Sequence, residues 1–174
     1  MSKNGSPLAM PFARSAVNPG VSPGQGQPPY LPPWIYPPVQ FVPIDETKYV
    51  PLPAIGAQAA VVQFQVPHGN NGIINTYGNN FVGGGWTEGS GEIVWQIFRD
   101  QALTNAVKGY NNILASLGSP ASPTRHPSGF RIFENEFITL VIKNVSVVVA
   151  GQLSGGRFAG WYYPKIYENP NIFV

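Results

Sequence analysis

The stretch Glu136-Phe-Ile-Thr-Leu-Val-Ile-Lys143 carries the clearest structural signal in the chain. On an extended backbone Ile138, Leu140 and Ile142 point to one face, whereas Thr139 points to the other. This period of two is typical of a β-strand that packs one face against a core. The stretch therefore predicts a half-buried strand.

Other segments repeat this pattern along the chain. Val61-Val-Gln-Phe-Gln-Val66 and Glu92-Ile-Val-Trp-Gln-Ile-Phe-Arg-Asp100 show the same alternation. The sequence predicts further strands at 49–55 (an edge strand), 73–82 (one strand or two), 107–117, 130–133, 145–150 and 157–163. It predicts loops at 83–91 and 118–129, and a turn at Gly155-Gly156. This number of short strands favours an all-β fold, an antiparallel β-sandwich with a jelly roll as its leading form.

The composition supports one folded domain with an appendage. The chain has 174 residues, of which 43% are hydrophobic and 10% are charged, together with 20 glycines and 19 prolines. So much glycine and proline argues against a helical bundle and suits short strands joined by turns. We predict an extended Pro-rich arm over residues 1–53 and the β-sandwich domain over residues 54–174.

The arm contains 13 of the 19 prolines, which lack an amide donor and favour an extended conformation. Before Pro28 the composition of the arm fits a dispensable tail as well as it fits a functional segment. From Pro28 to Pro43 the prolines alternate with large apolar residues, which disordered linkers rarely carry. We therefore expect this segment to bind a partner surface. The predicted partner-binding residues are Tyr30, Leu31, Trp34, Ile35, Tyr36 and Phe41; whether they pack on their own domain or on a neighbour is open.

Charge and residue usage exclude several classes of function. The net charge is only +2, with scattered Lys and Arg, so we expect no nucleic-acid partner. The absence of cysteine excludes disulfides and Cys-ligated zinc. No segment reaches the length of a membrane span and no signal peptide is recognisable, so we expect no membrane partner and synthesis in a cytoplasm.

Few residues suggest catalysis or metal binding. His68 and His126 have no second metal ligand nearby, so we expect exposed histidines, no metal and no cofactor. Glu134 and Glu136 are two residues apart and suit a solvated sheet edge better than an acid–base pair. Asn144-Val-Ser146 matches the glycosylation pattern. We predict no catalytic residues and a protein that is not an enzyme.

Two tryptophans support an alternative function. Trp86 lies in the glycine-rich loop, and Trp161 precedes two tyrosines. Either ring could stack on a sugar, which leaves open a carbohydrate-binding or receptor-binding module. Because adjacent strand residues face opposite sides, Trp161 and Tyr162 cannot share one surface, and core packing explains part of this motif.

Several stretches together resemble the small jelly-roll virion proteins of tailed bacteriophages, of the head decoration, neck or collar type. They are Glu92–Asp100, Lys108–Ile113, Leu117–Pro120, Glu136–Asn144 and Gly156–Pro164. The resemblance implies a non-enzymatic structural protein located in the virion and made in the host cytoplasm. It also implies an arm that attaches to neighbouring capsid, neck or decoration subunits. The expected partners are other virion proteins and copies of the chain itself, in a homo-oligomer.

Overall fold

A computed structural model describes residues 32–83, 85–147 and 152–168, with the backbone alone at 126–128. Within these ranges the chain forms eight strands and one short 3-10 turn. The strands are β1 (Val42–Pro51), β2 (Gln58–Gln65), β3 (Asn70–Val82), β4 (Ile93–Phe98), β5 (Gly118–Ser119), β6 (Ser122–Ile132), β7 (Phe137–Asn144) and β8 (Leu153–Pro164). The 3-10 turn follows β8 at Lys165–Glu168.

The strands form two antiparallel sheets. The first sheet has the order β1-β8-β3-β6-β5, and the second sheet has the order β2-β7-β4. Apart from the two-residue β5, the chain changes sheet at each successive strand, which is how a jelly roll is built. The predicted all-β antiparallel sandwich is therefore confirmed.

The core lies between the two sheets and is built by the alternating stretches. Ile138, Leu140 and Ile142 of β7 are fully buried, as their spacing predicts. From β4 the fully buried Trp95 reaches across the sandwich, and its Nε1 donates a hydrogen bond to Ser154 Oγ of β8 at 3.1 Å. The other large buried side chains of this core include Ile74, Ile93, Ile97, Ile132 and Phe158.

The first strand begins earlier than its sequence predicts. β1 starts at Val42 rather than at residue 49 and pairs with β8 along its whole length, from Val42 opposite Tyr162 to Pro51 opposite Leu153. It is the edge strand of the first sheet, a position that tolerates the prolines within it. The sheet thus includes residues that we assigned to the arm, and the described parts of the arm outside the sheet are 32–41 and 52–53.

The turn predicted at Gly155-Gly156 is wrong, because both glycines lie inside β8. A Cβ at Gly155 would stand 2.3 Å from Asn80 Oδ1 and 2.6 Å from a ring carbon of Tyr49. A Cβ at Gly156 would stand 2.8 Å from Leu140 Cδ2, across the core. Glycine is needed here for close approach and not for a reversal of the chain.

Three other segments differ from their predictions. Residues 118–129 are not a loop, because β5 and β6 occupy them. Residues 107–117 form no strand, although the segment pairs with β4 through a bridge between Trp95 and Ile113. Residues 145–147 are not in a strand, whereas 148–150 lie outside the described residues. Of the two alternatives left open at 73–82, the structure has the single strand, Asn70–Val82.

Candidate functional site

The outer face of the first sheet carries three side chains in one row, and the two at its ends, Arg131 and Trp161, contact the arm. Arg131 of β6 and Trp161 of β8 both stand in register with Ile73 of β3. Ile74 points into the core, so its neighbour Ile73 points outward. Ile73 is nevertheless only 3% exposed, which means that other residues cover it. We call Arg131, Ile73 and Trp161 the arm shelf.

The residues Pro33 and Trp34 dock on the arm shelf. Trp161 Nε1 donates a hydrogen bond to the carbonyl oxygen of Pro33 at 2.8 Å. The Arg131 guanidinium carbon lies 3.9 Å from the centroid of the Trp34 ring, within the range of a cation–π interaction. Pro33 is buried and Trp34 is half-buried. At this point the arm packs on its own domain.

An ion pair orients the guanidinium of the shelf. Arg131 Nη2 donates to Glu168 Oε1 at 2.9 Å, and Tyr163 donates its hydroxyl hydrogen to the same oxygen at 2.8 Å. Burial, reinforced by this hydrogen bond to Glu168, raises the pKa of the Tyr163 hydroxyl. Tyr163 therefore remains a neutral donor. The 3-10 turn that carries Glu168 thus holds Arg131 in place under Trp34.

After Trp34 the chain passes through residues 35–42, the last of which is the first residue of β1, and we call this stretch the apolar loop. The loop leaves the shelf at Trp161 and returns to it, since Pro43 of β1 stands opposite Trp161. Its apolar side chains face solvent: Tyr36 is 55% exposed, Val39 is 97% exposed and Phe41 is 42% exposed. Ile35 and Val42 are exposed as well. A concentration of exposed apolar side chains such as this one is typical of an interaction site.

The predicted partner-binding residues thus fall into three groups. Trp34 packs on the arm shelf, whereas Ile35, Tyr36 and Phe41 face solvent on the apolar loop. Tyr30 and Leu31 lie outside the described residues. The alternation of aromatic residues and prolines predicted that this segment binds a surface. No sequence pattern predicted which surface of the domain it contacts. Arg131 and Ile73 meet Trp161 only through the register of three strands.

The two tryptophans of the alternative function are occupied within the domain. The half-buried Trp86 makes edge-to-face contacts with Phe81 and Trp95, with ring centroids 5.6 Å and 5.7 Å apart. Trp161 uses its indole N–H for the arm. Trp86 follows Val82, which pairs with Leu153, so it lies near the opposite end of β8 from Trp161. The two rings do not form one platform, and glycan binding stays a prediction.

Glu134 connects three elements. Its Oε1 lies 2.5 Å from His68 Nδ1 and accepts a hydrogen bond from the Gly69 amide at 2.6 Å, and its Oε2 accepts one from Lys165 Nζ at 2.5 Å. Glu136 pairs with Arg99 Nε at 3.1 Å. Both glutamates precede β7 rather than lying on a strand. Their contacts are those of structural ion pairs that hold neighbouring loops together.

The contacts of Glu134 make the stability of the fold sensitive to acid. The hydrogen bond from Lys165, followed by the one from the Gly69 amide and by the electrostatic effect of His68, lowers the pKa of the Glu134 carboxyl from 4.5. A carboxyl whose pKa is lower in the folded state adds stability above its unfolded pKa, and this stability is lost as the pH falls through the folded pKa. We expect Glu134→Gln to be less stable than the wild type at about pH 7, and we expect this difference in stability to be smaller at about pH 3.

Denaturant unfolding at both pH values measures this difference. Glu46→Gln, a change at an exposed glutamate of β1, is the matched control and should equal the wild type at both. A gap between Glu134→Gln and the wild type that persists unchanged in acid would contradict the role given to the carboxylate.

Asn144 has a structural role that its glycosylation pattern hides. The residue is 1% exposed, and its Nδ2 donates to the carbonyl oxygens of Pro53 and Val147, each at 2.9 Å. Its Oδ1 accepts a hydrogen bond from the Val147 amide at 2.8 Å. All of these bonds are internal to the folded domain. The amide nitrogen is therefore not available to a glycosylating enzyme in the folded protein.

The described residues offer neither a metal-binding cluster nor a membrane-spanning helix. Within 32–83, 85–147 and 152–168, no three His, Asp or Glu side chains converge as a group that could hold a metal ion. No helix in the same part of the chain is long and apolar enough to cross a membrane. Comparison with models of known protein families gives no match, and comparison with curated protein sequences gives none either.

Proposed function

We propose that this protein is a non-enzymatic structural subunit that attaches to neighbouring subunits through its N-terminal arm. The particle that the sequence resemblance suggests is the virion of a tailed bacteriophage, assembled from protein made in the host cytoplasm. The single observation that carries the proposal is the apolar loop, whose large side chains face solvent at the edge of the β-sandwich.

The construction of the loop supports a role in binding. Its two ends are held at Trp161, by the Pro33 carbonyl on one side and by the pairing of Pro43 on the other. Pro37 and Pro38 restrict the backbone between them. A loop restricted in this way loses little conformational entropy on binding, so more of its buried area contributes to affinity.

The size of the exposed surface also suits an interface. Five large apolar side chains of the loop are exposed: Ile35, Tyr36, Val39, Phe41 and Val42. Between them they present on the order of 500 Å² to solvent, against roughly 800 Å² that each partner buries in a stable interface of standard size. Aromatic residues most often dominate such interfaces, so Tyr36 and Phe41 are the expected anchors.

Substitution of the loop tests the proposal. We expect the triple variant Ile35→Ser, Tyr36→Ser, Phe41→Ser to raise the dissociation constant of the assembly at least about 100-fold, because anchors of this kind contribute about 2 kcal/mol or more each. Sedimentation velocity of the purified protein, with electron microscopy of any assembly, measures the change. Deletion of residues 1–43 is a poorer test, since it would also remove Val42 and Pro43 from β1.

A matched control distinguishes the loop from apolar surface in general. Ile55, Val82 and Val145 are exposed to a similar degree and lie outside the apolar loop. The triple variant Ile55→Ser, Val82→Ser, Val145→Ser should assemble as the wild type does. If the loop variant folds and also assembles like the wild type, the proposed function is wrong.

A further inference from the structure

The outer edge of β1 is open to solvent. β1 is the last strand of the first sheet, so among the described strands its ladder of hydrogen bonds runs on one side only, to β8. Eight of its ten residues are exposed. A strand edge that is left open over such a length is a template for pairing with another strand.

The pairing of β1 with β8 determines which backbone groups face this open edge. The Leu52 N–H donates to the Gln152 carbonyl oxygen at 2.9 Å, and this bond continues the register that pairs Pro51 with Leu153. In an antiparallel pair every second residue directs its N–H and C=O to the neighbouring strand. The even-numbered residues of β1 therefore bond to β8, and the odd-numbered residues face the open edge. Pro43 and Pro51 both take edge-facing positions, where their missing N–H breaks no bond to β8.

The side chains between the two prolines leave the edge accessible. Asp45, Thr47 and Tyr49 direct their backbone N–H groups to the edge, as their register shows. Arg157 of β8 binds the Asp45 carboxylate with two hydrogen bonds of 2.7 Å. The Tyr49 ring lies over Gly155 of β8, since a Cβ there would stand 2.6 Å from a ring carbon. Both side chains thus lean back over their own sheet, and the Tyr49 ring keeps its exposed face when a strand is added at the edge.

The sequence of β1, Val42-Pro-Ile-Asp-Glu-Thr-Lys-Tyr-Val-Pro51, is complementary to a second copy of itself. A two-fold axis between two antiparallel copies of one strand places a single residue opposite its own copy. With the axis at Thr47, Glu46 of each copy lies opposite Lys48 of the other, and the two threonines form a favourable cross-strand pair. An axis at Glu46 or at Lys48 would instead place like charges directly opposite one another, which is destabilising.

The same register also matches the backbone groups of the two edges. Thr47 lies opposite its own copy and exchanges two N–H···O bonds with it, because edge-facing residues form the hydrogen-bonded pairs. Asp45 of each copy lies opposite Tyr49 of the other and exchanges two more. Pro43 then lies opposite Pro51, so the ladder ends at positions where neither strand has a donor.

We propose that β1 pairs with β1 of a second copy, antiparallel and about a two-fold axis at Thr47, so that the first sheets of two copies form one continuous sheet. Charged edge residues discourage pairing with other strands, whereas Glu46 and Lys48 are matched in this register. The interface uses neither the apolar loop nor the arm shelf. It goes beyond the proposed function, and the pair forms whether or not the loop binds a neighbouring subunit.

Charge reversal tests the pairing and its register together. Glu46→Lys and Lys48→Glu each place like charges opposite one another at two positions of the pair, so each should raise the dissociation constant of the pair about 10-fold. An equimolar mixture of the two variants should pair at least as tightly as the wild type, because every lysine at these positions then faces a glutamate. Sedimentation equilibrium from micromolar to millimolar protein measures the dissociation constants.

A control separates the register from the net charge of the protein. Lys108→Glu, at an exposed residue outside β1, changes the net charge as Lys48→Glu does and should pair like the wild type. A wild-type protein that remains a single chain at millimolar concentration would overturn the proposal. So would a mixture of Glu46→Lys and Lys48→Glu that pairs no more tightly than either variant alone.

A proline substitution tests the backbone ladder. The Thr47 N–H faces the edge, so Thr47→Pro takes nothing from the bonds to β8 and repeats the situation of Pro43 and Pro51. We expect circular dichroism of the single chain to stay that of the wild type, and the dissociation constant of the pair to rise at least about 10-fold, because two central hydrogen bonds are lost. A Thr47→Pro variant that pairs like the wild type would show that the edge of β1 is not the interface.

The edge and the apolar loop are tested independently of each other. The Ile35→Ser, Tyr36→Ser, Phe41→Ser variant should still form the pair, with the dissociation constant of the wild type. If this variant forms pairs and nothing larger, both proposals stand; if it assembles like the wild type while Thr47→Pro does not pair, only the edge stands. In dilute solution the chain is single, so Glu46→Gln leaves unfolding unchanged there.

Discussion

Replacing Trp95 with alanine is expected to lower the free energy of unfolding by about 3–5 kcal/mol, a large part of the total stability of a domain. Trp95 is fully buried, contacts the ring of Trp86 and donates its indole hydrogen to Ser154 Oγ across the sandwich. The alanine variant loses the buried area, leaves a cavity and removes the donor to Ser154. Equilibrium unfolding in denaturant measures the effect.

Two other variants help to interpret the Trp95 result. Trp95→Phe retains most of the apolar volume and loses the hydrogen bond, so its cost should be about 1–2 kcal/mol. Trp34→Ala removes a tryptophan from the surface, where the cation–π contact is worth about 0.5–2 kcal/mol. If Trp95→Ala were no more destabilised than Trp34→Ala, Trp95 would not join the two sheets.

Asn144→Ala is expected to be the second most damaging change, at about 2–4 kcal/mol, because a buried polar group that loses its partner costs about 1–3 kcal/mol. The substitution leaves the carbonyl oxygens of Pro53 and Val147 and the amide of Val147 without the bonds that Asn144 provides. These bonds connect the end of β7 to the segment between β1 and β2.

The glycosylation pattern provides the control for Asn144. Ser146→Ala destroys the same Asn-Val-Ser pattern at an exposed residue, and we expect a cost below about 0.5 kcal/mol. Denaturant unfolding of both variants separates the structural role of the Asn144 hydrogen bonds from any role of the glycosylation pattern. Equal stability of the two variants would mean that the buried hydrogen bonds of Asn144 contribute nothing to the fold.

The strands that could be predicted are those with one face on the core. The alternation at Val61–Val66, Glu92–Asp100 and Glu136–Lys143 located β2, β4 and β7, the whole of the second sheet. The first sheet was harder to predict, because glycines and prolines in β6 and β8 are local turn signals. At Gly155 and Gly156 the glycines are required by Asn80, Tyr49 and Leu140, which lie far away in sequence. Contacts between residues so far apart in sequence cannot be predicted from the amino-acid composition.

The arm likewise has a feature that its own sequence predicts and a feature that depends on residues far away in sequence. The aromatic residues among its prolines predicted a segment that binds a partner surface, which stays a prediction, and the structure packs Trp34 of this segment on its own domain. The location of the shelf depends on the pairing of β3 with β6 and β8, in which a register shift occurs between Ile74 and Thr76. A shift of one residue would turn Ile73 towards the core. No local pattern encodes that register.

Oxidative footprinting of the assembled and the dissociated protein measures whether a neighbouring subunit covers the apolar loop. Tyr36 of the apolar loop and Tyr49 of β1 are similarly exposed in the single chain, at 55% and 49%. If the loop binds a neighbouring subunit, hydroxyl-radical modification of Tyr36 should fall several-fold on assembly, and that of Tyr49 should stay the same. A Tyr36 that is modified as fast in the assembled particle as in the single chain would contradict the account.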